Sequence, residues 1–458
     1  MRQIKLEQSA KESYTAHPGL ALVGRCIGLC RDMREQVGRL ERGRHSFSSM
    51  DILTCFLGLL CLGKSDYEAV AARRGDAWFR EALGLDRVVS PECLRQRLDE
   101  MARNEALVAA LARGSLELLR RLRAPVTGYG RDLGGMVPLD IDVTPQDNSR
   151  TKKEGVGYTY KKFFGYAPIV AYLGFEGWCV DLELRPGSQH AQHGFVEFLR
   201  GALAKARCLT KAPLLVRLDS AHDAAKALRA LEEAEGVHYV IRRHPRGSVP
   251  ESWLERARAF GVEELGHRAG VRSWLVEIAD ERPVEEGSQE MVTCRRVVRV
   301  TEKRIDEAGR GLLFPRIHLE GWLTDLSLPA QEVIRLYREH GTSEQFHSEL
   351  KGELDLERLP SGFFATNALV LRLGGFAYNL LRALGVRSLS CGGGSSRRAV
   401  RRRRVRTVMQ ELVWGAARLI QHSHGLVLRF GRYCPGYGVF CKLMEWLDSM
   451  RQSEYSFC

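Results

Sequence analysis

The stretch VPLDIDVT, residues 137–144, alternates strictly between apolar and polar side chains. Successive side chains of a β-strand point to opposite faces of a sheet, so this period of two predicts a half-buried strand. One face would carry Leu139, Ile141 and Val143 toward a core. Asp140 and Asp142 share the other face, and the alternation alone does not choose between them as a functional acid.

The segments that follow predict a mixed sheet covered by helices. Two strands within 166–174 and 178–187 are joined by a tight FEG turn, which predicts a hairpin. A helix is expected at 194–207, a buried strand at 213–220, then a second helix and a further strand at 238–243. Three strands, a helix, a strand, a helix and a strand indicate the α/β class.

The flanking regions differ in pattern from this core. Strand-like segments with polar connections predict a β-rich insertion, and a helical pattern resumes at about residue 328. The predicted division of the chain is 1–128, helical and DNA-binding; 129–243, the first part of the core; 244–320, the β-rich insertion; 321–385, the second part of the core; and 386–458, a basic arm and tail.

Short helices dominate the first 128 residues. Ser90 is a good N-cap and Pro91 suits the first helical position of the segment SPECLRQRLDEMA. Arg95 and Arg97 follow on this third helix of a set of three, which resembles a DNA-recognition helix. An ordinary helical bundle shows the same pattern, so both interpretations stay open.

The charge balance favours a polyanionic partner. Lys and Arg number 69 against 56 Asp and Glu, which gives a net charge of +13 and a pI near 9.3. The run RRAVRRRRVR at 397–406 follows the flexible CGGGSS and predicts an arm that wraps phosphate backbones. Its central members are Arg401, Arg402, Arg403 and Arg404. A solubilising surface run is the alternative.

Membrane insertion and zinc binding are not expected. The apolar run ILTCFLGLLCLG at 52–63 is too short for a bilayer, which needs about 20 residues. The 12 cysteines form no CxxC pair, which indicates reduced thiols in a cytoplasmic protein. The HxxH of His190 and His193 has no nearby cysteine ligands.

A second decisive stretch is YREHGTSEQFHSELKGELDLERLP, residues 337–360. Tyr337, Glu344 and Lys351 are spaced by seven residues, so on one helix they form a row that drifts by only about 20° per step. Apolar residues occupy the neighbouring stripe, which suits burial against a sheet. A solvated helix edge would look similar.

Three acids of this chain fit a metal-dependent reaction. Asp142 and Asp219 each stand at the end of a predicted strand, and Glu344 follows on the late helix. Strand ends are where α/β folds meet their substrates. Converging carboxylates suit Mg²⁺, and two such ions about 3.5–4 Å apart act on phosphodiesters. The basic chain therefore indicates a nucleic-acid phosphoryl-transfer enzyme.

The chain resembles the DDE transposases of bacterial insertion sequences, and most closely insertion-sequence family thirteen-eighty. The helix matches the signature Tyr-x2-Arg-x3-Glu-x6-Lys at Tyr337, Glu344 and Lys351. His340 stands where the signature has arginine, and Arg338 supplies a nearby permanent charge. DVT at 142–144 and LDSAHD at 218–223 resemble the segments of the first two catalytic acids.

This resemblance implies an RNase H-like fold in which Asp142, Asp219 and Glu344 hold two Mg²⁺ ions, with Mn²⁺ as a substitute. It also implies cleavage of double-stranded DNA at the terminal inverted repeats, joining of the 3′ ends to target DNA, and a homodimer. Asp223 would support the acids, and Asp140 is the alternative to Asp142. The expected DNA contacts are Tyr337, Arg338, His340, Lys351, Lys152, Lys153, Lys161 and Lys162, together with the arginines named above.

Two other functions remain open from the sequence. A metal-dependent nuclease would cleave DNA without joining it. A non-catalytic regulator derived from a transposase would only bind DNA, although the presence of all three acids argues against that reading.

Overall fold

The computed structural model describes residues 4–453 except 42, 44, 246, 267, 286, 393–399 and 424. Its helices are α1 Leu20–Leu29, α2 Arg31–Leu40, α3 Ser49–Cys61, α4 Ala77–Leu83, α5 Pro91–Met101, α6 Glu105–Arg121, α7 Phe195–Arg207, α8 Ala225–Glu232, α9 Pro250–Phe260, α10 Ala330–Arg338, α11 Thr342–Ser348, α12 Phe364–Ser390, α13 Val405–Val408 and α14 Tyr437–Ser453.

The strands are β1 Ser13–Thr15, β2 Val137–Val143, β3 Gln146–Asp147, β4 Gly157–Tyr158, β5 Phe164–Tyr166, β6 Ile169–Leu173, β7 Trp178–Glu183, β8 Leu214–Leu218, β9 Val237–Arg243, β10 Val262–Glu264, β11 Val271–Pro283, β12 Met291–Ile305, β13 Gly311–Thr324, β14 Ala417–His422 and β15 Gly425–Phe430.

The mixed sheet predicted from the sequence is confirmed, and it is larger than expected. Nine strands run in the order β10-β11-β12-β13-β9-β8-β2-β6-β7. Strands β2, β6 and β7 pair antiparallel, whereas β2, β8 and β9 pair parallel. The central strand β2 therefore has an antiparallel neighbour on one side and a parallel one on the other.

Burial explains why these segments form strands. Leu139 and Ile141 of β2 are fully buried in the main core, but Asp140 on the opposite face is also buried, so β2 is covered on both faces and is not the half-buried strand that the alternation predicts. All five residues of β8 are buried because helices cover both faces of the sheet at this point. Leu215 packs toward α10 on one face, and Val216 packs into the main core on the other. Continuous apolar character is typical of such a two-sided strand.

The described strands of the β-rich region, β10 to β13, all belong to this nine-stranded sheet. Strand β13 pairs antiparallel with β9, with Leu323 opposite Ile241. Helix α9 covers one face of the extension, where Trp253 packs against Trp274 and its neighbours. The expected strands between 244 and 320 are therefore present, but as a continuation of the core sheet that runs to Thr324.

The N-terminal helices share their core with the sheet. Leu20 and Phe56 belong to the same buried cluster as Leu139 and Phe376. Ser90 caps α5 by accepting a hydrogen bond from the backbone of Cys93 at 3.2 Å, as its sequence predicts. Residues 20–121 thus form helices that pack into the same core as the sheet.

Helix α12 packs between the N-terminal helices α3 and α6 and strand β7 of the sheet. It is 27 residues long and, among the described residues, it is the helix that is long and apolar enough to cross a membrane by composition alone. In the fold, however, 89% of its apolar window is buried inside the protein. Its hydrophobicity is therefore explained by packing between the N-terminal helices and the sheet.

The C-terminal region is folded, which corrects the prediction of an arm and tail. Strands β14 and β15 form a hairpin that pairs with β1 near the N-terminus, and α14 packs on α1. Arg403 is 8% exposed and pairs with Glu411. Residues 397–399 of the arginine run lie outside the described residues. The composition suggested an arm because a run of arginines does not itself show the partners they find in the fold, such as Glu411 for Arg403 and Phe346 for Arg402.

A buried ion pair ties α12 to the segment that follows α11. The guanidinium of Arg382 pairs with Glu349, and each side chain is 1% exposed. Arg382 also donates to the hydroxyl of Tyr378 at 2.8 Å and to the carbonyl of Arg403 at 2.7 Å. The pair thus joins α12, the segment after α11 and the start of α13.

Replacing Arg382 by methionine should destabilise the protein strongly, because Glu349 would keep a buried charge with no cation to pair with, only the side-chain amide of Gln345. Removing one member of a buried pair typically costs about 3–5 kcal/mol. Denaturant unfolding of Arg382→Met followed by circular dichroism measures this. Arg272→Met, which breaks an exposed pair with Glu263, is the control and should leave the unfolding midpoint in place. Equal unfolding midpoints for the two variants would contradict a stabilising role for the buried pair of Arg382 and Glu349.

Candidate active site

Asp142 and Asp219 stand side by side at the ends of two parallel strands. Ile141 of β2 is in register with Leu218 of β8, so the next residue on each strand is an aspartate. Neighbouring strands lie about 4.8 Å apart, which brings the two carboxylates to one edge of the sheet. The chain turns immediately after Asp219, whose Oδ1 accepts a hydrogen bond from Ala221 N at 3.1 Å.

The two carboxylates repel each other in a partly desolvated place. Burial and the charge of Asp142 raise the pKa of Asp219 to about 6. Burial raises the pKa of Asp142 too, but the imidazoles of His347 and His340 lower it by more, and its net pKa is below the ordinary value. Such a pair of carboxylates is suited to a hard divalent cation, which would relieve the repulsion.

Asp142 is held in place by its own strand and by α11. Its Oδ1 accepts a hydrogen bond from Val143 N at 2.8 Å, and His347 Nε2 lies 3.5 Å from its Oδ2. The His347 ring packs edge-on against Tyr172 of β6, with 5.2 Å between centroids. A residue three positions after Glu344 therefore supports Asp142.

A cavity of about 810 Å³ opens over the two aspartates. Glu344, Tyr337 and Lys351 also line it, so residues of all three predicted motifs meet at one place. The other lining residues are Val143, Thr144, Tyr160, Lys161, Arg338, His340, Gly341, Ser343, His347, Ser348, Gly352 and Glu357.

The motif-bearing segment is not one straight helix, which corrects the prediction of a single row. Helix α10 ends at Arg338, a 3₁₀ turn covers Glu339–Gly341, and α11 is followed by a π-helical turn at Glu349–Glu353. Gly341 and Gly352 are weak helix formers at these two irregular turns. The spacing of seven still places the three side chains on one cavity, but along a bent path.

Glu344 lines the cavity with an exposed side chain. In the described part of the chain, no three His, Cys, Asp or Glu side chains are close enough together to hold one metal ion. The site therefore has a close pair of carboxylates and a third carboxylate across the same cavity. Glu344 would have to approach the pair for all three to share ions.

The hairpin turn between β6 and β7 fixes the position of α11. Gly177 has a positive φ of 72°, and a Cβ at this position would lie 2.2 Å from the ring of Phe346. A glycine is required here both by the backbone conformation and by this close approach. The turn thus seats the helix that carries Glu344 directly on the sheet.

Asp140 is fully engaged elsewhere. It is 3% exposed, and its two carboxylate oxygens accept hydrogen bonds from Arg217 Nε at 2.6 Å and Nη2 at 2.7 Å. His340 Nδ1 lies 2.9 Å from the same carboxylate. Asp140 does not line the cavity. This placement favours Asp142, rather than Asp140, as the acid that faces a ligand.

His340 is turned toward the protein interior, although it reaches the cavity. Burial lowers its pKa, but Asp140 raises it by more, so the pKa of His340 lies above its ordinary value. Its Nδ1 is directed at Asp140, 2.9 Å away. The expected phosphate contact of His340 would compete with this interaction.

The predicted phosphate contacts beside Glu344 are placed differently from one another. Arg338 is exposed at the cavity rim. Lys351 Nζ donates to the carbonyl of Pro145 at 3.1 Å and lies 3.6 Å from Glu357. Tyr337 is half-buried, with its ring 5.9 Å from the Arg242 guanidinium. Of these three residues, Arg338 is the most exposed and therefore the most accessible to a ligand.

The four predicted lysines divide in the same way. Lys161 lines the cavity, and Lys152 and Lys162 are exposed nearby in the chain. Lys153 instead donates to the carbonyl of Leu359 and to Asn148 Oδ1, and burial lowers its pKa. Lys153 therefore serves the packing of its loop.

A family model described as "Transposase DDE domain group 1" matches residues 15–452 of the chain. The chain belongs to this family of DDE transposases. A search of the curated proteins found no match. Among solved structures, the transposase is similar to a piggyBac transposase in the cryo-EM structure of its synaptic complex with hairpin DNA, with 10% identity, a TM-score of 0.40, and coverage of 88% of this chain and 83% of that chain.

The two arginines predicted on a recognition helix of the transposase are already paired. Arg95 is exposed, with Nη2 2.6 Å from Glu92. Arg97 is 8% exposed and lies 2.6 Å from Glu100 and 3.3 Å from Glu41. This corrects the expectation that Arg97 points outward, because its guanidinium links α5 to the preceding helices.

The described arginines of the basic run lie behind α11. Arg402 donates to Gln345 Oε1 at 2.8 Å, and its guanidinium is 4.4 Å from the centroid of the Phe346 ring. Arg401 lies 4.8 Å from the Phe175 ring, while Arg404 is exposed. Arg402 and Arg403 therefore have structural partners, whereas Arg401, Arg404 and Arg406 are exposed, and Arg406 pairs with Glu353 at 2.7 Å.

Other residues named from the sequence lie away from the cavity. Asp223 pairs with Arg243 and Arg282, each at 2.8 Å, so it ties the turn after β8 to the extended sheet. His190 and His193 belong to no metal-binding group among the described residues. The described cysteines are free thiols, and most are buried.

The sequence analysis missed three residues at the transposase site. Tyr160 donates to the carbonyl of Val143 at 3.2 Å and lines the cavity; it sits among lysines that drew attention for their charge. His347 lies one helical turn after Glu344, a spacing that predicts a shared helix face. Arg217 precedes Asp219 by two residues on a strand, so alternation places it opposite Asp140.

Replacing Arg402 by alanine should loosen α11 of the transposase. The change removes the bond to Gln345, the contact with Phe346 and a hydrogen bond to the carbonyl of Phe175. Hydrogen–deuterium exchange of the peptide covering residues 342–348 should become faster. Arg404→Ala is the matched control and should leave the exchange of this peptide unchanged. Unchanged exchange in Arg402→Ala would show that the contacts of Arg402 do not hold α11 in place.

Proposed function

We propose that this transposase binds the ends of a mobile element, cleaves them, and joins the freed 3′ ends to target DNA. The observation that carries the proposal is the pairing of Asp142 with Asp219 at the strand ends, under a cavity that Glu344 also lines. The family supplies the general activity, and this site is where the DNA backbone would react.

The sheet topology supports an RNase H-like core. Strands β7, β6 and β2 are antiparallel, and β8 and β9 continue the sheet in parallel with β2. The first acid lies on β2 in the middle of the five, and the second follows the adjacent β8. Substrates of open α/β sheets bind beyond the carboxyl ends of such strands.

The donor set fits Mg²⁺, with Mn²⁺ as a substitute. Asp142, Asp219 and, after its approach, Glu344 would hold two ions through carboxylate oxygens. When bound, the ions would lower the pKa of the attacking hydroxyl and offset charge on the leaving oxygen. The raised pKa of Asp219 supports this fit, because the two aspartates repel one another without a cation.

The chain itself supplies positioning and fixed charge. In cleavage, a water oxygen bonds to the phosphorus at the element end, and the bond from phosphorus to O3′ breaks to leave a 3′-hydroxyl. In joining, that hydroxyl attacks a target phosphodiester and displaces the target's own O3′. Arg338, Lys161 and Lys351 line the cavity and would hold the flanking phosphates in line.

The DNA path would continue along the exposed basic residues next to the site. Lys161 and Lys162 lie in the turn between β4 and β5, Lys152 lies between β3 and β4, and Arg401 and Arg404 are exposed just before α13. Cleavage of both element ends in one complex calls for a homodimer acting on double-stranded DNA in the cytoplasm. The Tyr337–Lys351 motif, with His340 in place of arginine, would make this a variant of the insertion-sequence thirteen-eighty signature.

Substituting Glu344 by glutamine should abolish nicking while leaving end binding nearly intact. The change keeps the shape of the side chain and removes the charge that completes the acid triad. Purified protein is mixed with Mg²⁺, a target plasmid and a labelled duplex that carries the inverted repeat flanking the gene. Glu332→Gln on α10 is the control, because Glu332 does not line the cavity and pairs with Arg335.

Each outcome of this assay separates the candidate functions. Nicking and joining by the wild type, both lost in Glu344→Gln, support a transposase that uses this glutamate. Cleavage without joined product would indicate a nuclease, and binding alone would indicate a regulator. Persistent nicking in Glu344→Gln would overturn the assignment of the glutamate.

Replacing Lys161 and Lys162 together by alanine should weaken DNA binding in a salt-dependent way. Each lost phosphate contact should reduce the slope of log K against log salt concentration by about 1. Fluorescence anisotropy titrations at several salt concentrations measure the slope. Lys211→Ala is the control, since Lys211 precedes β8 at the opposite edge of the sheet. An unchanged slope for the double variant would exclude this loop from the DNA path.

A further inference from the structure

A buried ion network lies directly beneath the candidate active site and uses none of the three catalytic acids. Its centre is the pair of Asp140 and Arg217, whose side chains are each 3% exposed. We infer that Asp140, Arg217 and His340 are positioning residues that set the distances among Asp142, Asp219 and Glu344. The inference rests on the proposed function of that triad.

The central pair fixes the two aspartates relative to each other. Asp140 precedes Asp142 by two residues on β2, and Arg217 precedes Asp219 by two residues on β8, so each pair shares a face of its strand. Asp140 and Arg217 are register partners, and two parallel hydrogen bonds of 2.6 and 2.7 Å join them. A slip of β8 along β2 would break both bonds at once.

The same network reaches the segment that carries Glu344. Arg217 Nη1 donates to the carbonyl of Leu336 at 2.8 Å, at the end of α10. His340 contacts Asp140 through Nδ1 at 2.9 Å and is four residues from Glu344. One guanidinium and one carboxylate thus join β2 and β8, which lead to Asp142 and Asp219, to the segment just before α11, the helix that bears Glu344.

A tyrosine closes the network on its outer side. The hydroxyl of Tyr129 accepts from Arg217 Nη1 at 2.9 Å and donates to Glu339 at 2.6 Å. Glu339 belongs to the 3₁₀ turn between α10 and α11. The bend between α10 and α11 is therefore held by two contacts, one between Tyr129 and Glu339 and one between Asp140 and His340.

A network of this kind is better explained by the positions it fixes than by what it adds to the free energy of folding. Buried ion pairs are often no more stabilising than apolar residues of the same volume, because desolvation offsets their attraction. An apolar pair could not fix the strand register and the helix bend together. Arg217 and Asp140 also stay outside the cavity lining, so they act through the residues they hold.

The test compares two conservative changes in the network with two matched changes far from the site. Arg217→Lys keeps the charge but cannot make the forked contact, and Asp140→Asn keeps the shape. The controls are Arg299→Lys and Glu264→Gln, which alter a bidentate pair of 2.6 and 2.7 Å in the extended sheet. All five proteins are full-length.

Three measurements are made on each protein. Electron paramagnetic resonance measures the affinity for Mn²⁺ alone, single-turnover nicking measures the rate at saturating end duplex, and thermal unfolding reports the fold. We expect the network variants to bind Mn²⁺ about 10-fold more weakly and to nick about 10–100-fold more slowly, the usual effect of losing groups that orient ligands. Their affinity for the duplex should stay within about threefold of wild type, and the controls should match wild type.

A milder variant covers the case in which Arg217→Lys does not fold. Tyr129→Phe removes only the hydroxyl and keeps the ring packed on Phe175, whose centroid is 5.0 Å away. It should slow nicking with an unchanged unfolding temperature. Normal Mn²⁺ binding and nicking in the folded network variants, or equal losses in the controls, would overturn the inference. A wild type that neither binds Mn²⁺ nor nicks would overturn the proposed function, and this inference with it.

Discussion

The close approach of two like charges, Asp142 and Asp219, is the constraint on which the rest of this structure depends. Parallel pairing of β2 with β8 puts them on neighbouring strand ends, and burial makes their repulsion costly. A protein keeps such an arrangement only if neighbouring groups hold it or a ligand relieves it. In this chain the neighbouring groups are visible: Val143 and His347 hold Asp142, and Ala221 holds Asp219.

The surrounding fold serves to keep this edge of the sheet rigid. Buried ion pairs lie on two sides of the segment that carries Glu344: Asp140 with Arg217 beneath it, and Glu349 with Arg382 behind it. The hairpin turn at Gly177 and the side chain of Arg402 seat α11 from the other directions. The extended sheet is joined to the same core through β9.

Much of this could be predicted from the sequence because the relevant patterns are local. The alternation of 137–144 gives the strand and the shared face of Asp140 and Asp142, and Ser90 marks the start of α5. The spacing of Tyr337, Glu344 and Lys351 correctly brings them to one cavity. These signals depend on periods of two and 3.6 residues, which the chain itself carries.

The errors arose where the deciding partner is distant in sequence. Arg97 and Arg402 resemble free cations in the sequence, because Glu41 and Phe346, which contact them, lie on distant elements. The bend between α10 and α11 depends on contacts with Asp140 and Tyr129, about 200 residues earlier. No local pattern reports such contacts, so the arm and the straight row were wrong.

The most direct test of this account is a structure of the wild-type transposase on its end duplex, with Ca²⁺ supplied in place of Mg²⁺ to prevent cleavage. The account predicts an ion between the carboxylates of Asp142 and Asp219, with an oxygen of Glu344 moved to within coordinating distance, about 2.3–2.6 Å from a bound ion. Asp140 should remain paired with Arg217. Ions bound elsewhere, or a Glu344 that stays apart from them while the DNA is seated in the cavity, would contradict it.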